Sequence, residues 1–404
     1  MTDSSSAGAV AGGSRRWAIA LALLLFYGVL SIWVRQRWAA SLLQCGIFLA
    51  AAVWIVLRLR RPSEIRFSLL LAPLAFAPLW GLLQLALGTT VYRYETWEAV
   101  VFWFALLAAV FLALQVLAEP VVRRFFLRAL LVFGFAVCVT GITQYFTSGG
   151  KVFWIFESGY PDALGPFVYR NNYAAFVELL LPLAIFEALR RDQDAIPFSL
   201  LAGVLYASVI ASASRAGSVL ATAELVLVPA LAAARGICGR PRLLRVSGTL
   251  LAAALVFSTV TGWETVLERL RHPDPFVHRR EMLLSSLEMA RERPLAGFGL
   301  GVYQEAYPAY ALFDIGLVVN HAHNDWAEWL AEGGAPFLLA MAVLAGLTAG
   351  PAIRSVWGAG LLSVYLHALV DYPMQRLGLA LWIFVLAAAV VSEDRGRGRA
   401  APTP

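Results

Sequence analysis

Apolar runs of roughly 18 to 23 residues recur along this chain, separated by short segments rich in arginine, glycine and proline. At about 1.5 Å rise per residue, each run suits a helix crossing a hydrocarbon layer about 30 Å thick. Twelve runs are found, at about 17–34, 39–57, 68–87, 99–118, 125–146, 173–189, 196–213, 218–234, 246–262, 326–347, 352–370 and 377–392. The first is flanked by Arg15-Arg16 and by Arg35 and Arg37, with no small-residue cleavage site between them, so a retained span is expected, not a removed leader. The pattern predicts an all-α polytopic integral membrane protein of about 12 transmembrane helices, one membrane domain over residues 1–404. One long loop, residues 263–325, is expected between spans 9 and 10. Within it Met282, Leu283, Leu287 and Ala290 share a helical face between Pro275 and Arg293, and Pro294 ends that helix.

Composition agrees and removes other classes. With 60% hydrophobic and 14% charged residues, the chain has too little polar surface for a soluble globular domain. Three scattered cysteines, Cys45, Cys138 and Cys238, suggest neither a disulfide framework nor a metal knuckle. Charge then orients the spans. With a cytoplasmic N-terminus, nineteen of the 32 Lys and Arg residues fall in short inner segments, and six of the remaining thirteen lie in the long loop. Both termini are therefore expected in the cytoplasm, with the long loop outside. The basic ends suit contact with anionic membrane lipid, at about 1 kcal/mol per residue near the surface, and imply no nucleic-acid partner.

Polar chemistry gathers in a few segments on the outer side. His321-Ala322-His323-Asn324-Asp325 precedes the run from Trp326 to Leu347 and holds two of only five histidines. Asp325-Trp326-Ala327-Glu328 has capping-box spacing, which predicts a helix start at Asp325 and sets His323 just outside it as a candidate general base. A metal reading of the histidine pair lacks a third ligand at suitable spacing, and no metal or cofactor is expected. Ser214-Arg215-Ala216-Gly217 fills a tight turn between two spans, where a solvated interfacial arginine and a phosphate-binding fork are the alternatives. Positive charge on the outer side runs against the usual bias and favours the fork. Arg279 and Arg280 open the loop helix, and spacing does not separate them. Gly297-Phe298-Gly299-Leu300-Gly301 follows no strand and reads as a hinge or an anion-cupping turn, not a nucleotide fingerprint. His367 and Asp371, four apart near the outer end of the eleventh run, and Glu178 in the sixth are ionisable groups at membrane depth. Each is either a functional group or a polar clasp between helices.

Over roughly residues 160–375 these segments resemble the O-antigen ligase and polymerase family of bacterial envelope enzymes. The resemblance rests on Gly165 to Ala174, an Asn-rich entry to a span; on Ser214-Arg215-Ala216-Gly217; on Arg279 and Pro294 to Gly301; and on His323-Asn324 followed by Gly334. Leu283, Tyr169 and Phe337 depart from the family's usual residues, the last at a position that marks the ligase signature. The resemblance implies a GT-C-like membrane glycosyltransferase in the bacterial inner membrane, with its site facing the periplasm. Its donor would be a glycan on undecaprenyl pyrophosphate, and its acceptor a sugar hydroxyl on lipid A-core or another glycan or lipid-linked sugar. Catalytic roles fall to His323 as base and to Arg215 and Arg279 as stabilisers of the leaving pyrophosphate, with inversion at the anomeric carbon. Substrate contacts would come from Arg280, Arg170, Asn171, Asn324, His321, Asp371 and His367.

Three readings compete. Transfer of a finished glycan to an acceptor comes first, and polymerisation of lipid-linked repeats uses the same donor. A polysaccharide transporter or flippase also tolerates twelve spans, but internal repeats and broken midplane helices are not evident. Either His367 or Asp371, in place of His323, remains an alternative base.

Overall fold

Long apolar runs bounded by arginine and proline fold as helices because a hydrocarbon environment leaves backbone polar groups no partner but one another. The computed structural model describes residues 3–60, 65–160, 163–261, 267, 271, 277–313, 316 and 318–400. In chain order the helices are α1 (Asp3–Leu30), α2 (Arg37–Arg60), α3 (Leu71–Leu87), α4 (Arg93–Val116), α5 (Pro120–Thr147), α6 (Arg170–Arg190), α7 (Ala195–Ala211), α8 (Arg215–Ala234) and α9 (Arg240–Thr261). There follow α10 (Val277–Glu292), the short α11 (Tyr303–Ala306), α12 (Asp325–Ser355), α13 (Ala359–His367) and α14 (Leu377–Ala400). A two-residue hairpin, Lys151–Val152 with Phe156–Glu157, is the sole sheet among the described residues. The chain is an all-α multi-pass membrane protein.

Among the described residues nine helices are long and apolar enough to cross a membrane: α2, α4 to α9, α12 and α14. The other three apolar runs fall on α1, on the 17-residue α3 and on α13. The run at 352–370 is divided, because α12 continues to Ser355 and α13 has nine residues, about 14 Å of helix and half a crossing. The loop helix is α10; of the 263–325 loop, residues 263–266, 268–270, 272–276, 314–315 and 317 lie outside the described residues.

α6 and α14 are buried almost all round and form the centre of the bundle. Trp382 of α14 stands edge-on to Phe176 of α6 at 4.9 Å, and its indole donates to Leu25 O of α1 at 3.0 Å. The N-terminal end of α1 and the C-terminal end of α14 share one face. There Arg15 lies over Phe125, and Arg123 stands 3.7 Å from Glu393. The same face carries the Arg128–Asp194 and Arg242–Asp192 pairs. The starts of α4, α6, α8, α12 and α14 point to the opposite face, where α10 also packs.

A break in α12 locks α10 onto the bundle. Gly334 has φ 68° and ψ −175°, and a Cβ there would lie 2.3 Å from Leu295 O, so only glycine fits without displacement. The break frees carbonyls that other segments take up. Phe298 N donates to Ala331 O at 3.1 Å, Gly299 N to Glu332 O at 2.9 Å, and Trp80 Nε1 to Gly333 O at 2.9 Å. In return Ala335 N donates to Pro294 O at 2.8 Å. The glycine-rich turn after Pro294 is thus a cap for a broken helix. Its Phe298 and Gly299 amides are committed to carbonyls, which removes the anion-cupping alternative for those two groups.

Candidate active site

The segment before α12 separates its two histidines. Asn324, in extended conformation, caps the helix with its Oδ1 accepting from Ala327 N at 3.0 Å, so α12 starts at Asp325 as its sequence predicts. The cap itself differs from the expected capping box. Glu328 reaches past the helix end, where its two oxygens meet His321 Nδ1 at 2.8 Å and Ala322 N at 2.7 Å. Asp325 instead accepts from Met374 N at 3.0 Å, which ties the helix start to the α13–α14 link. His323 sits in the left-handed region with φ 49°, a conformation that costs a non-glycine residue roughly 1–3 kcal/mol. It turns away from Glu328 toward Asp371, whose Oδ1 lies 3.7 Å from His323 Nδ1. The two histidines therefore face different carboxylates.

Asp371 gathers the other motifs. Its Oδ2 accepts from Arg279 Nη2 at 2.9 Å and from the Asn171 side-chain amide, and its Oδ1 accepts from Tyr372 N at 2.9 Å. Asn171 Oδ1 in turn accepts from Ser214 Oγ at 2.8 Å. The same Ser214 hydroxyl caps α8 by accepting from Gly217 N at 3.2 Å, so Arg215 opens that helix one residue from the network. Burial pushes the Asp371 carboxyl up, but the adjacent His323 and the Arg279 guanidinium outweigh it and hold the group well below the usual carboxylate range. Four segments distant in sequence thus meet around one buried carboxylate: α6 at Asn171, α8 at Ser214, α10 at Arg279 and the α12 approach at His323. Arg170 opens α6 beside Asn171, and Arg280 points to the exposed side of α10.

His367 does not share a face with Asp371, contrary to the spacing argument. α13 ends at His367 and the chain turns, with Val370 N donating to His367 O at 2.9 Å. The imidazole Nδ1 lies 2.7 Å from Glu178 Oε1 of α6, both side chains fully buried. The expected substrate contact of His367 gives way to a clasp between α6 and α13, and Glu178 is its other half.

A cavity of about 750 Å³ is lined by His321, Tyr169 and Arg376, and by Glu95, Glu98, Glu328 and Glu332. His321 stacks on the Tyr372 ring at 4.3 Å and lines the cavity, while His323 meets the same ring edge-on at 4.9 Å. Burial, with the charges of Arg376 and His323 added, holds the His321 imidazole well below its usual range despite Asp371. Arg376 lies over the faces of Tyr169 and Tyr372, at 5.5 and 5.9 Å. Sequence reasoning passed over Arg376, Tyr372 and the capping role of Ser214. For Arg376 a signal was present: it is positive on the same side as Arg215, against the charge bias.

Chemically, the arrangement sets a half-exposed imidazole in front of a carboxylate, with an arginine fork on that carboxylate and a second arginine at a helix start. Such a set can take a proton from a hydroxyl and receive an anion. Residues 198–342 match the family model described as O-Antigen ligase. The match runs from α7 into α12 and includes Arg215, Arg279, His323 and Gly334. It bears out the resemblance and supports the O-antigen ligase/polymerase family and its type of activity in general, with lipid-linked glycan and acceptor substrates. Asn171 and Asp371 lie outside the matched segment. Among curated proteins none matches the chain.

Proposed function

With that family match as premise, we propose that the protein is an inverting glycosyltransferase. It moves a glycan from undecaprenyl pyrophosphate to a sugar hydroxyl on lipid A-core or a similar acceptor. The reading places it in a bacterial inner membrane, both termini cytoplasmic and the site at the periplasmic face, in keeping with the bias of arginines toward the termini face. The observation that carries it is the convergence of Asn171, itself held by Ser214, with Arg279 and His323 on Asp371.

His323 takes the proton of the acceptor hydroxyl on Nε2 while the oxygen forms its bond to the anomeric carbon. The bond from that carbon to the pyrophosphate oxygen breaks, and its electron pair leaves with undecaprenyl pyrophosphate. Single displacement inverts the centre. Asp371 behind Nδ1 orients the ring and offsets the imidazolium charge that forms, an arrangement in which a 3.7 Å separation tightens as charge develops. Arg279 and Arg215 receive the growing negative charge on the leaving pyrophosphate, where fixed cations stabilise the transition state more than the ground state. Arg170 and Arg280 add positive potential around it. Phe337, the departure within the ligase signature, is fully buried and packs against Trp103 at 5.6 Å.

Envelope glycans from a strain carrying Arg215→Ala or His323→Ala, resolved beside the parent by electrophoresis, test the reading. Long chains retained on the undecaprenyl carrier and missing from the final acceptor are expected. Accumulated single repeats would move the activity to polymerisation. A parental profile with the variant protein present in the membrane would overturn both enzyme readings and return the transporter.

A further inference from the structure

The loop helix α10 is apolar on two sides, and the fold covers one of them. Met282 and Met289 turn inward to a small core with Phe298, Tyr303 and Tyr307. Leu284 and Leu287 are neighbours on another side of the helix and are exposed. Leu295, in the turn that follows, is 68% exposed. An apolar surface left open in this way calls for a partner.

The depth of the segment identifies that partner. Two side chains of α3 reach it from beneath the end of their helix at Leu87. Gln84 Nε2 donates to Ala296 O at 2.7 Å, and Trp80 Nε1 donates to Gly333 O, next to the Gly334 that abuts Leu295 O. Gln84 and Trp80 precede Leu87 by about one and two turns, which is roughly 4 and 10 Å down the α3 axis. The turn after α10 therefore lies below the end of α3, not above it. α3 itself is exposed and apolar along Leu79, Leu83 and Leu87, a single stripe at steps of four. Leu339 and Val343 are exposed in the same way on α12 beyond its break. Leu295 thus extends the surface that α3 and α12 present to lipid.

The arginines nearby behave as residues at such a depth should. The Arg293 guanidinium lies over Phe298 at 4.4 Å and donates to Thr89 O at 3.1 Å, past the end of α3. Its stem crosses the apolar layer while its charge sits beyond it. Arg291, on the side of Leu284 and Leu287, is paired with Glu288.

We propose that α10 is an interfacial helix, with phospholipid of the leaflet on the site's side as the partner of its open face. Leu284, Leu287 and Leu295 lie among the upper acyl chains, the depth usual for an amphipathic helix in a bilayer. One consequence rests on the glycosyltransferase reading above: Arg279, on the same helix, is anchored at the level of lipid-borne phosphate.

Nitroxide labels on Leu284→Cys, Leu287→Cys and Leu295→Cys measure the depth in the full-length protein, with Cys45 and Cys238 replaced by serine. The protein is held in nanodiscs of phosphatidylethanolamine and phosphatidylglycerol, and power saturation reports collisions with oxygen and with a water-soluble nickel chelate. Leu83→Cys is the lipid reference, and Glu157→Cys, on the exposed hairpin, is the water reference. For insertion by roughly 5–10 Å, the oxygen-to-nickel ratio at Leu295 should lie within about twofold of Leu83 and about fivefold or more above Glu157. Leu284 and Leu287 should fall between the references. Three labels that match Glu157 would overturn the proposal. So would protection from both reagents, which would mark a protein contact. Neither result depends on turnover, so neither touches the enzymatic reading. Leu284→Asp combined with Leu287→Asp tests the consequence: undecaprenyl pyrophosphate should bind this variant severalfold more weakly than the parent. Equal affinity would sink the anchoring of Arg279, whereas a parent that does not bind this probe at all would count against the glycosyltransferase reading and leave the measured depth standing.

Discussion

Asp371→Asn is the sharpest test of the catalytic arrangement, because asparagine keeps the shape of the side chain and its acceptor for Tyr372 N while removing the charge. Two consequences follow from the geometry. The imidazolium formed during transfer loses a carboxylate 3.7 Å from Nδ1. At an effective dielectric near 20 such a pair is worth about 4 kcal/mol. His323 is 31% exposed, so screening discounts that figure, and a loss of about 3–4 kcal/mol corresponds to roughly 10²–10³ in rate. Arg279 also loses its ion-pair partner, but it keeps its charge for the pyrophosphate, so donor KM should change far less than kcat. The assay is single-turnover transfer from a defined undecaprenyl-pyrophosphate glycan by the purified protein, with His323→Ala and the double variant alongside. If the two residues act as a unit, the double variant should be no slower than His323→Ala alone. A turnover within tenfold of the parent for folded Asp371→Asn, or additive losses in the double variant, would refute the dyad.

Other outcomes follow from the same contacts. Ser214→Ala removes the α8 cap and the hydrogen bond that positions Asn171, so it should cost about 1 kcal/mol of stability in thermal unfolding and lower turnover about tenfold. Gly334→Ala should fail to accumulate as folded protein in membranes, since its Cβ meets Leu295 O and its φ is positive. His367→Ala should destabilise by about 3–5 kcal/mol, because it strands the buried Glu178 carboxyl; the molecules that fold should retain turnover, whereas a base at His367 would require its loss. His321, with its imidazole held low by burial, gives stability that is complete above its unfolded pKa near 6.5 and declines as pH falls below it. Thermal melts from pH 8 to pH 5 should show that decline in the parent, and His321→Gln should flatten it.

Much of this architecture was legible in the chain because hydrocarbon imposes a simple rule: runs such as 99–118 and 377–392 have no stable alternative to helix. The misreadings arose where chain geometry departs from that rule. A run at 352–370 looks continuous, yet α12 and α13 meet within it at Val356, whose φ is 68°. The spacing of His367 and Asp371 suggested one helical face, but α13 ends between them, and hydropathy carries no information about where a helix ends within an apolar stretch. Asn324, not Asp325, took the cap because Asp325 is drawn to Met374 N, a partner 49 residues away that no local motif announces.

The site was partly visible for a different reason. Arginine on the outer side of a membrane protein runs against the insertion bias, so each instance needs a local cause. That argument singled out Arg215, and it holds equally for Arg35, Arg37 and Arg376. The structure divides these three by their partners. Arg37 is accounted for by Glu98, a clamp between α2 and α4, while Arg35 and Arg376 line the cavity without an ion pair among the described residues, although the Arg376 charge acts on Glu328 of the same cavity. A sequence can count outward charges but cannot pair them, since Arg37 and Glu98 are 61 positions apart and meet only because α2 packs on α4. The informative quantity is therefore the outward arginine left over after pairing, and here that remainder lies beside the histidine that the sequence had already marked.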